Sequence, residues 1–201
     1  MRQEPAMNRF TRSLPVIVLV AVAVAALAPA RAADPPLPSE SVYQLSARLT
    51  DQDGRSRNWS GLQGKPRVIS MFYTSCQYIC PLIVESGKAI ERQLDDRQRD
   101  RIGFVLISMD PRNDTPQALG EVVSRYRLDT RRWTLASPAP DQVRALAGVL
   151  DIRYRALADG GFNHTSALVL VDAQGRILAR TEKTGSRPDP DFVRAVREAA
   201  H

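Results

Sequence analysis

Two largely apolar runs, residues 67–73 and 102–109, are each followed by a stretch with the pattern of a helix. The first run reads RVISMFY and the second IGFVLISM, and both have the composition and length of buried strands. After the first run, residues 83–94 repeat an apolar stripe every three or four positions, as an amphipathic helix does. Strands that alternate with helices indicate an α/β protein with a parallel sheet.

The second half of the chain has a different order of elements. We predict a strand at 133–136, a helix at 141–150, a β-hairpin formed by residues 167–171 and 176–179, and a last helix from about 189 to 200. A βαβ unit followed by a ββα unit is the thioredoxin-like arrangement. The sequence therefore predicts an α/β, thioredoxin-like fold with a central mixed β-sheet flanked by helices.

The first 32 residues have the features of a secretory signal peptide. A basic start precedes an uncharged run at 14–28 and an Ala-x-Ala site at 30–32. That run is shorter than the ~20 apolar residues of a membrane span, so we expect a cleaved leader, with a retained inner-membrane anchor as the alternative. The expected location is the periplasm, an oxidising compartment in which a close pair of cysteines can form a disulfide bond.

The rest of the chain divides into a tether and one domain. Residues 33–41 are rich in proline and are predicted to be a linker. Residues 42–201 are long enough for a single domain with a substantial core, which we expect to be monomeric. This domain is predicted to begin with an N-terminal β-hairpin made by residues 43–49 and 55–59.

The formal net charge of +6 gives little support for a polyanionic partner. Four arginines belong to the leader, and clusters such as residues 97–101 alternate with aspartate and lack aromatic neighbours. Such clusters are typical of a solvated face, so we expect no nucleic-acid partner. The chain also lacks the glycine-rich, nucleophile-elbow and His-Glu-x-x-His motifs of nucleotide-binding proteins and hydrolases.

The only two cysteines, Cys76 and Cys80, follow the first buried strand and precede Pro81, which suits a first helical turn. Residues four apart on a helix have Cβ atoms ~5–6 Å apart, whereas a relaxed disulfide needs about 3.5–4.5 Å. A metal ion bridges the longer gap with less distortion. A helix N-terminus also stabilises thiolates, which are both metal ligands and nucleophiles. The spacing favours a metal site and leaves redox chemistry open.

His164 is the only histidine of the chain besides the C-terminal His201. It comes just before the predicted strand 167–171, at an end of the sheet that a thioredoxin-like chain path can bring near the cysteines. Two thiolates and one imidazole form a soft ligand set that suits Cu(I) and also Cu(II). A closed zinc site would need a fourth ligand. We retain, as an alternative to copper, a zinc site in which Asp110 is that ligand.

Four segments of the chain carry a resemblance to a known family. They are FYTSCQYICP at 72–81, ISMDPRNDTP at 107–116, WTL at 133–135, and NHTS with VDAQG within 163–175. In their order and spacing these segments resemble the Sco/SenC family over residues 42 to about 180. Together they are specific, whereas the cysteine spacing alone would be a weak signal.

The resemblance implies a thioredoxin-like, exported copper protein that helps assemble the dinuclear copper centre of cytochrome c oxidase. It implies a copper donor, a reductant of the receiving cysteines, or both. Its copper ligands map onto Cys76, Cys80 and His164. The implied partners are the copper-receiving oxidase subunit and another periplasmic copper chaperone. Many members carry Pro-Asp where this chain has Gln77-Tyr78 and an Asp where it has Asn163, so the site of this chain should be less negative.

Other residues near these motifs have structural interpretations. Asp114 is predicted to cap the helix at 117–127, whereas Asp110 fits a turn and a role near the site equally well. We expect Tyr73 and Tyr78 to serve in packing or at the rim of the site, and Trp133 to lie in the core.

Two alternatives to a copper chaperone remain open from the residues. In a thiol:disulfide oxidoreductase, Cys76 and Cys80 would be the redox-active pair and His164 would be incidental. A peroxidase is a weaker alternative, because it needs a peroxide-polarising arginine that the sequence does not locate.

Overall fold

In the computed structural model, which describes residue 1 and residues 36–76 and 78–201, the two apolar runs form neighbouring parallel strands. Nine strands occur among these residues. They are β1 Arg48–Asp51, β2 Ser56–Asn58, β3 Arg67–Phe72, β4 Gly103–Ser108, β5 Trp133–Pro138, β6 Tyr154–Ala156, β7 Phe162–His164, β8 Leu168–Val171 and β9 Ile177–Thr181.

Seven of these strands form one mixed sheet in the order β2-β1-β5-β4-β3-β8-β9. The three central strands β3, β4 and β5 are parallel, and β8 pairs antiparallel with β3. The loops that follow β3 and β4 and the segment that precedes β8 therefore meet at one edge of the sheet, which we call the carboxyl edge. The mixed sheet confirms the predicted fold class, and the pairing of β1 with β2 confirms the N-terminal hairpin.

Five α-helices accompany the sheet in the described part of the chain. They are α1 Ile79–Arg92, α2 Asp96–Arg101, α3 Pro116–Tyr126, α4 Val143–Val149 and α5 Pro190–Ala199. Four of them lie where the sequence predicts helices. The short α2 was not predicted, and it forms in the charged segment through a capping box in which Asp95 and Gln98 satisfy each other's backbone N–H groups.

Helix α1 packs closely against the central sheet at Trp133. Trp133, only 1% exposed, stacks on Phe104 with ring centroids 4.6 Å apart. Its indole also fills the space beside Gly87, where an added Cβ would stand 2.4 Å from a ring carbon. Gly87 therefore lets α1 approach the sheet, and Trp133 lies in the core as predicted.

The start of the domain differs from its prediction. Residues Val42–Gln44 form a 3₁₀ turn capped by Ser41, so β1 begins at Arg48. The Ser41 hydroxyl also donates to the carbonyl of Gln174, which attaches the end of the predicted linker to the domain. The predicted leader lies outside the described residues except for residue 1. Among the residues that are described, no helix is long and apolar enough to span a membrane.

A second, two-stranded sheet consists of β6 and β7, and the sequence did not predict it. In its register Tyr154 lies opposite His164, and Arg155 lies opposite Asn163. Because side chains alternate along a strand, Tyr154 and His164 share one face of this hairpin and Arg155 and Asn163 share the other. The first face packs on Tyr73, whose ring contacts both Phe162 and His164.

Candidate metal centre

Cys76 and Cys80 lie on either side of the start of α1, at the carboxyl edge. The backbone N–H of Cys80 donates to Sγ of Cys76 over 3.3 Å, and the N–H of Tyr73 points to Sγ of Cys80 over 3.5 Å. Both thiols are free; Cys76 is half-buried, and Cys80 is 4% exposed. The structure therefore brings both predicted cysteines together in one turn, as reduced thiols.

The two thiols differ in acidity. Burial opposes ionisation of Cys76, but hydrogen bonds from the Cys80 thiol and from the N–H groups of Cys80, Tyr78 and Ile79 hold its pKa below the ordinary value. Burial raises the pKa of Cys80 well above the ordinary value, and only the N–H of Tyr73 opposes this. Cys76 therefore ionises first, and a bound metal ion would promote the ionisation of Cys80.

His164 lies at the end of β7, on the face that packs against Tyr73. Nδ1 is 3.3 Å from the carbonyl oxygen of Thr165, and this contact is a hydrogen bond when Nδ1 carries the proton. Burial lowers the pKa of His164, which favours the neutral ring, although the Thr165 carbonyl opposes the shift. Nε2 is buried and has no hydrogen-bond partner among the described residues. A neutral imidazole held through Nδ1 with a free Nε2 is typical of a histidine that binds metal.

Tyr73 separates the imidazole from the thiols. Its ring centroid is 6.2 Å from that of His164, and its hydroxyl accepts a hydrogen bond from the N–H of Phe162. Within residues 36–76 and 78–201, no group of three His, Cys, Asp or Glu side chains is arranged to hold a metal ion. The structure thus brings the two cysteines together and puts His164 at the same edge, but it does not join the three into one cluster.

The thiols and the imidazole line different cavities. A cavity of about 460 Å³ is lined by Tyr73, Cys76, Cys80 and the exposed Arg125. A second cavity of about 670 Å³ is lined by His164 and by Ile79, the residue before Cys80. Arg125 is an arginine of the kind that the peroxidase alternative requires, yet in the described part of the chain it makes no hydrogen bond to either thiol. The first turn of α1 therefore contributes to both cavities.

Comparison with known sequences identifies the family. The sequence model described as SCO1/SenC matches residues 39–200, which is most of the chain. The chain belongs to the SCO1/SenC family. Its resemblance to Sco/SenC proteins, predicted from the four motif segments, is thereby confirmed.

Known members of the SCO1/SenC family share this fold. The SCO1 protein homolog of Bacillus subtilis is 24% identical over 153 residues, which cover 75% of this chain and 79% of that protein. The structure of Bradyrhizobium japonicum ScoI with copper bound aligns with a TM-score of 0.66 at 22% identity, covering 77% and 98%. A structure of BsSco aligns with a TM-score of 0.65 at 21% identity, covering 78% of this chain and 92% of that one. BsSco is described with a disulfide switch and as a member of the Sco family of cytochrome c oxidase assembly proteins.

In this SCO1/SenC chain, Asp114 lies beneath the cysteine loop and does not cap a helix, so that prediction was wrong. Thr115 caps α3 instead, through a hydrogen bond from the N–H of Ala118. The buried Asp114 carboxylate accepts hydrogen bonds from the N–H and hydroxyl of Thr74, at 3.0 and 2.6 Å, and from the Ser108 hydroxyl at 2.5 Å. It therefore connects the loops that follow β3 and β4. The signal in the sequence was its position in the loop that follows β4, at the same edge as the cysteines.

The remaining candidates near the motif have separate environments. Asp110 is buried, and its carboxylate accepts a hydrogen bond from the side chain of Asn113 within its own turn. Tyr73 is almost fully buried, whereas Tyr78 is 85% exposed beside the thiols. Both tyrosines thus have the packing and rim environments that the sequence predicts.

Proposed function

We propose that this SCO1/SenC protein is a copper chaperone that holds one copper ion through Cys76, Cys80 and His164. The proposal rests on one observation: two free thiols share a helical turn at the edge of the sheet where a buried imidazole keeps its Nε2 without a partner in the part of the chain that the structure describes. Buried nitrogen atoms are rarely left unsatisfied, and a ligand that accepts the lone pair of Nε2 gives it a function. Copper in this scheme is the cargo of the protein.

The donor set fits copper chemically. Thiolate sulfur favours Cu(I), and imidazole tolerates Cu(II) as well, so the set can hold both oxidation states. Because the thiols and His164 lie on either side of Tyr73, we propose that copper binding draws the β6–β7 hairpin toward the first turn of α1. Three ligands leave the ion open to a receiving protein, as transfer requires.

The proposed destination is the dinuclear copper centre of cytochrome c oxidase, reached in the periplasm. The membership of BsSco in a family described as oxidase assembly proteins supports the destination, and the leader-like first 32 residues support export. The proposed partners are the copper-receiving oxidase subunit and a second periplasmic copper chaperone that supplies the ion. We propose that the domain acts as a monomer.

A second function, thiol:disulfide oxidoreductase, is favoured by the unequal acidity of the thiols. The Cys76 thiolate would attack a disulfide of the partner and form a mixed disulfide, releasing one partner thiolate. Cys80 would then lose its proton and displace the second partner thiolate. The partner gains two electrons and two protons, and Cys76 and Cys80 become a disulfide. A pair that must be reduced before it binds copper would couple the two functions.

An anaerobic titration of the reduced protein with Cu(I) and Cu(II) tests the proposal. The wild type should bind one equivalent of either ion, and His164→Ala should lose at least ~10-fold in Cu(II) affinity, as expected for the loss of a ligand. His201→Ala is the matched control, because it removes the other histidine. If His164→Ala binds Cu(II) as the wild type does while thiol exchange with disulfide substrates is fast, the chaperone function fails and the oxidoreductase remains.

A further inference from the structure

The outer face of the β6–β7 hairpin carries Arg153 and Arg155, and His164 lies on the opposite face of the same hairpin. We propose that this face, which we call the arginine face, docks an acidic segment of the protein that exchanges copper with the site. This inference rests on the proposed copper function, which it deepens by giving the partner a charge and a place to bind.

The register of the hairpin puts both arginines on one side. Arg155 lies opposite Asn163, and the N–H of Thr165 donates to the carbonyl of Arg153 over 2.9 Å. Paired residues of antiparallel strands point to the same face, so Arg153 and Arg155 share the side that faces away from Tyr73. The arginine face is therefore available to solvent while the opposite face holds His164 against Tyr73.

The charges of the arginine face are not compensated. Arg153 and Arg155 are exposed, and neither side chain makes a hydrogen bond or an ion pair with any residue that the structure describes. Among the described residues, the one carboxylate that lines the same cavity belongs to Glu182, and Arg180 already pairs with it at 2.6 Å. Asn163, which pairs with Arg155 from the neighbouring strand, adds no charge. The face therefore has an excess of positive charge.

The arginine face is continuous with the candidate metal centre. The cavity of about 670 Å³ is lined by both arginines, by His164 and by Ile79 in the first turn of α1. A carboxylate that binds the arginines within this cavity shares the cavity with His164 and with Ile79, the residue before Cys80. An acidic partner docked here would stand where a copper ligand has to be exchanged.

The exposure of the arginines favours a protein segment over a small anion. Each solvated guanidinium contributes little to the binding of a single anion. Several carboxylates on one surface add their attractions and steer the encounter, which raises the association rate more than the final affinity. Arginine is also enriched in protein interfaces. A protein that must approach His164 to exchange copper meets these conditions.

The test uses a short synthetic peptide with two cysteines flanked by glutamates, and the same peptide flanked by glutamines. Arg153→Glu/Arg155→Glu is compared with Arg92→Glu/Arg97→Glu, a control with the same change of charge. Arg92 and Arg97 are exposed and lie at or beyond the far end of α1 from the cysteines. Metal-free binding is measured by fluorescence anisotropy, and Cu(I) transfer to each peptide by stopped flow at low salt.

The glutamate peptide should take Cu(I) about 10-fold faster than the glutamine peptide, and salt should reduce this advantage. Arg153→Glu/Arg155→Glu should abolish the advantage and the metal-free binding, whereas the control variant keeps both. Equal losses in both variants would overturn the proposal, as would preferential binding of inorganic phosphate or of phosphatidylglycerol vesicles at the arginine face. A protein that binds the glutamate peptide at this face but takes up no Cu(I) would refute the copper function and leave the acidic docking face intact.

Discussion

The N–H of Cys80 donates a hydrogen bond to Sγ of Cys76 over 3.3 Å, so the second cysteine of the pair stabilises the first as a thiolate. Further N–H groups from the start of α1 act in the same direction, and burial keeps Cys80 protonated. One turn of backbone thus produces one thiol that ionises readily and one that stays protonated. This asymmetry suits both stepwise disulfide exchange and a metal site that deprotonates its second thiol on binding.

Alkylation should separate the two thiols by pH. Because the pKa of Cys76 is lowered, Cys76 remains a thiolate at a lower pH than an ordinary thiol does. The raised pKa of Cys80 keeps that thiol protonated and unreactive up to alkaline pH. Cys80→Ser should therefore react with iodoacetamide at lower pH than glutathione, and Cys76→Ser should react at higher pH. Mass spectrometry of the alkylated protein measures both rates. Faster reaction at Cys80 than at Cys76 at neutral pH would contradict the assignment.

Removal of the Asp114 carboxylate should loosen the cysteine loop. Asp114→Ala leaves the N–H and hydroxyl of Thr74 and the hydroxyl of Ser108 without their acceptor, which should lower the free energy of unfolding by about 3 kcal/mol. Asp114→Asn keeps an acceptor for Thr74 and should lower the free energy of unfolding by less. Urea denaturation measures the change, and Asp100→Ala, at an exposed position of α2, should stay within about 0.5 kcal/mol of the wild type.

The same carboxylate should affect stability in acid. Burial raises the pKa of Asp114, although the hydrogen bonds from Ser108 and Thr74 oppose the shift. The folded state then binds a proton more readily than the unfolded state, so this group adds stability as pH falls through its folded pKa and loses it as pH rises. The wild type should gain stability relative to Asp114→Asn when the pH is lowered from 7 toward 4. A difference that is constant or that shrinks over this range would contradict the raised pKa.

Gly87 should not tolerate alanine, although it lies inside a helix. Alanine normally stabilises a helix interior by about 1 kcal/mol relative to glycine, but here its Cβ would stand 2.4 Å from the Trp133 ring. Gly87→Ala should therefore lower the free energy of unfolding by about 1–3 kcal/mol. The control is Gly148→Ala in α4. An added Cβ there meets no described atom within 4 Å, so this substitution should be stabilising. Thermal denaturation of both variants checks the two opposite signs.

Copper should protect the β6–β7 hairpin from hydrogen exchange. If His164 becomes a ligand, opening of the hairpin requires loss of the bound ion, and amides of residues 153–165 should exchange at least ~10-fold more slowly with copper. The β1–β2 hairpin, residues 48–58, lies at the far edge of the sheet and should not change. Mass spectrometry of the loaded and metal-free protein gives the comparison. Equal protection in His164→Ala would show that the hairpin does not close on the metal.

The main elements of the fold were predictable because they repeat simple patterns. The runs at 67–73 and 102–109 are apolar at almost every position, which is typical of strands buried on both faces. The cysteine turn was predictable for a related reason, since it follows such a strand directly. The β6–β7 hairpin was not, because its strands have three residues each and one of its faces carries exposed arginines.

The environment of the candidate site was harder to predict than its members. His164 could be named as a rare residue near a strand. Its contact with Tyr73, and the lack of a partner for its Nε2 among the described residues, follow from the packing of the hairpin. Asp114 could be assigned to a helix cap or to the site, and local sequence favoured the cap. Its partner Thr74 is 40 residues away, and only the parallel pairing of β3 with β4 brings the two loops together.

X-ray absorption spectroscopy of the copper-loaded protein tests the three-ligand site most directly. We expect two sulfur ligands and one imidazole nitrogen in the wild type, loss of the imidazole signal in His164→Ala, and a spectrum unchanged from the wild type in His201→Ala. A sulfur-only site in the wild type, or an imidazole signal that persists in His164→Ala, would contradict the three-ligand site.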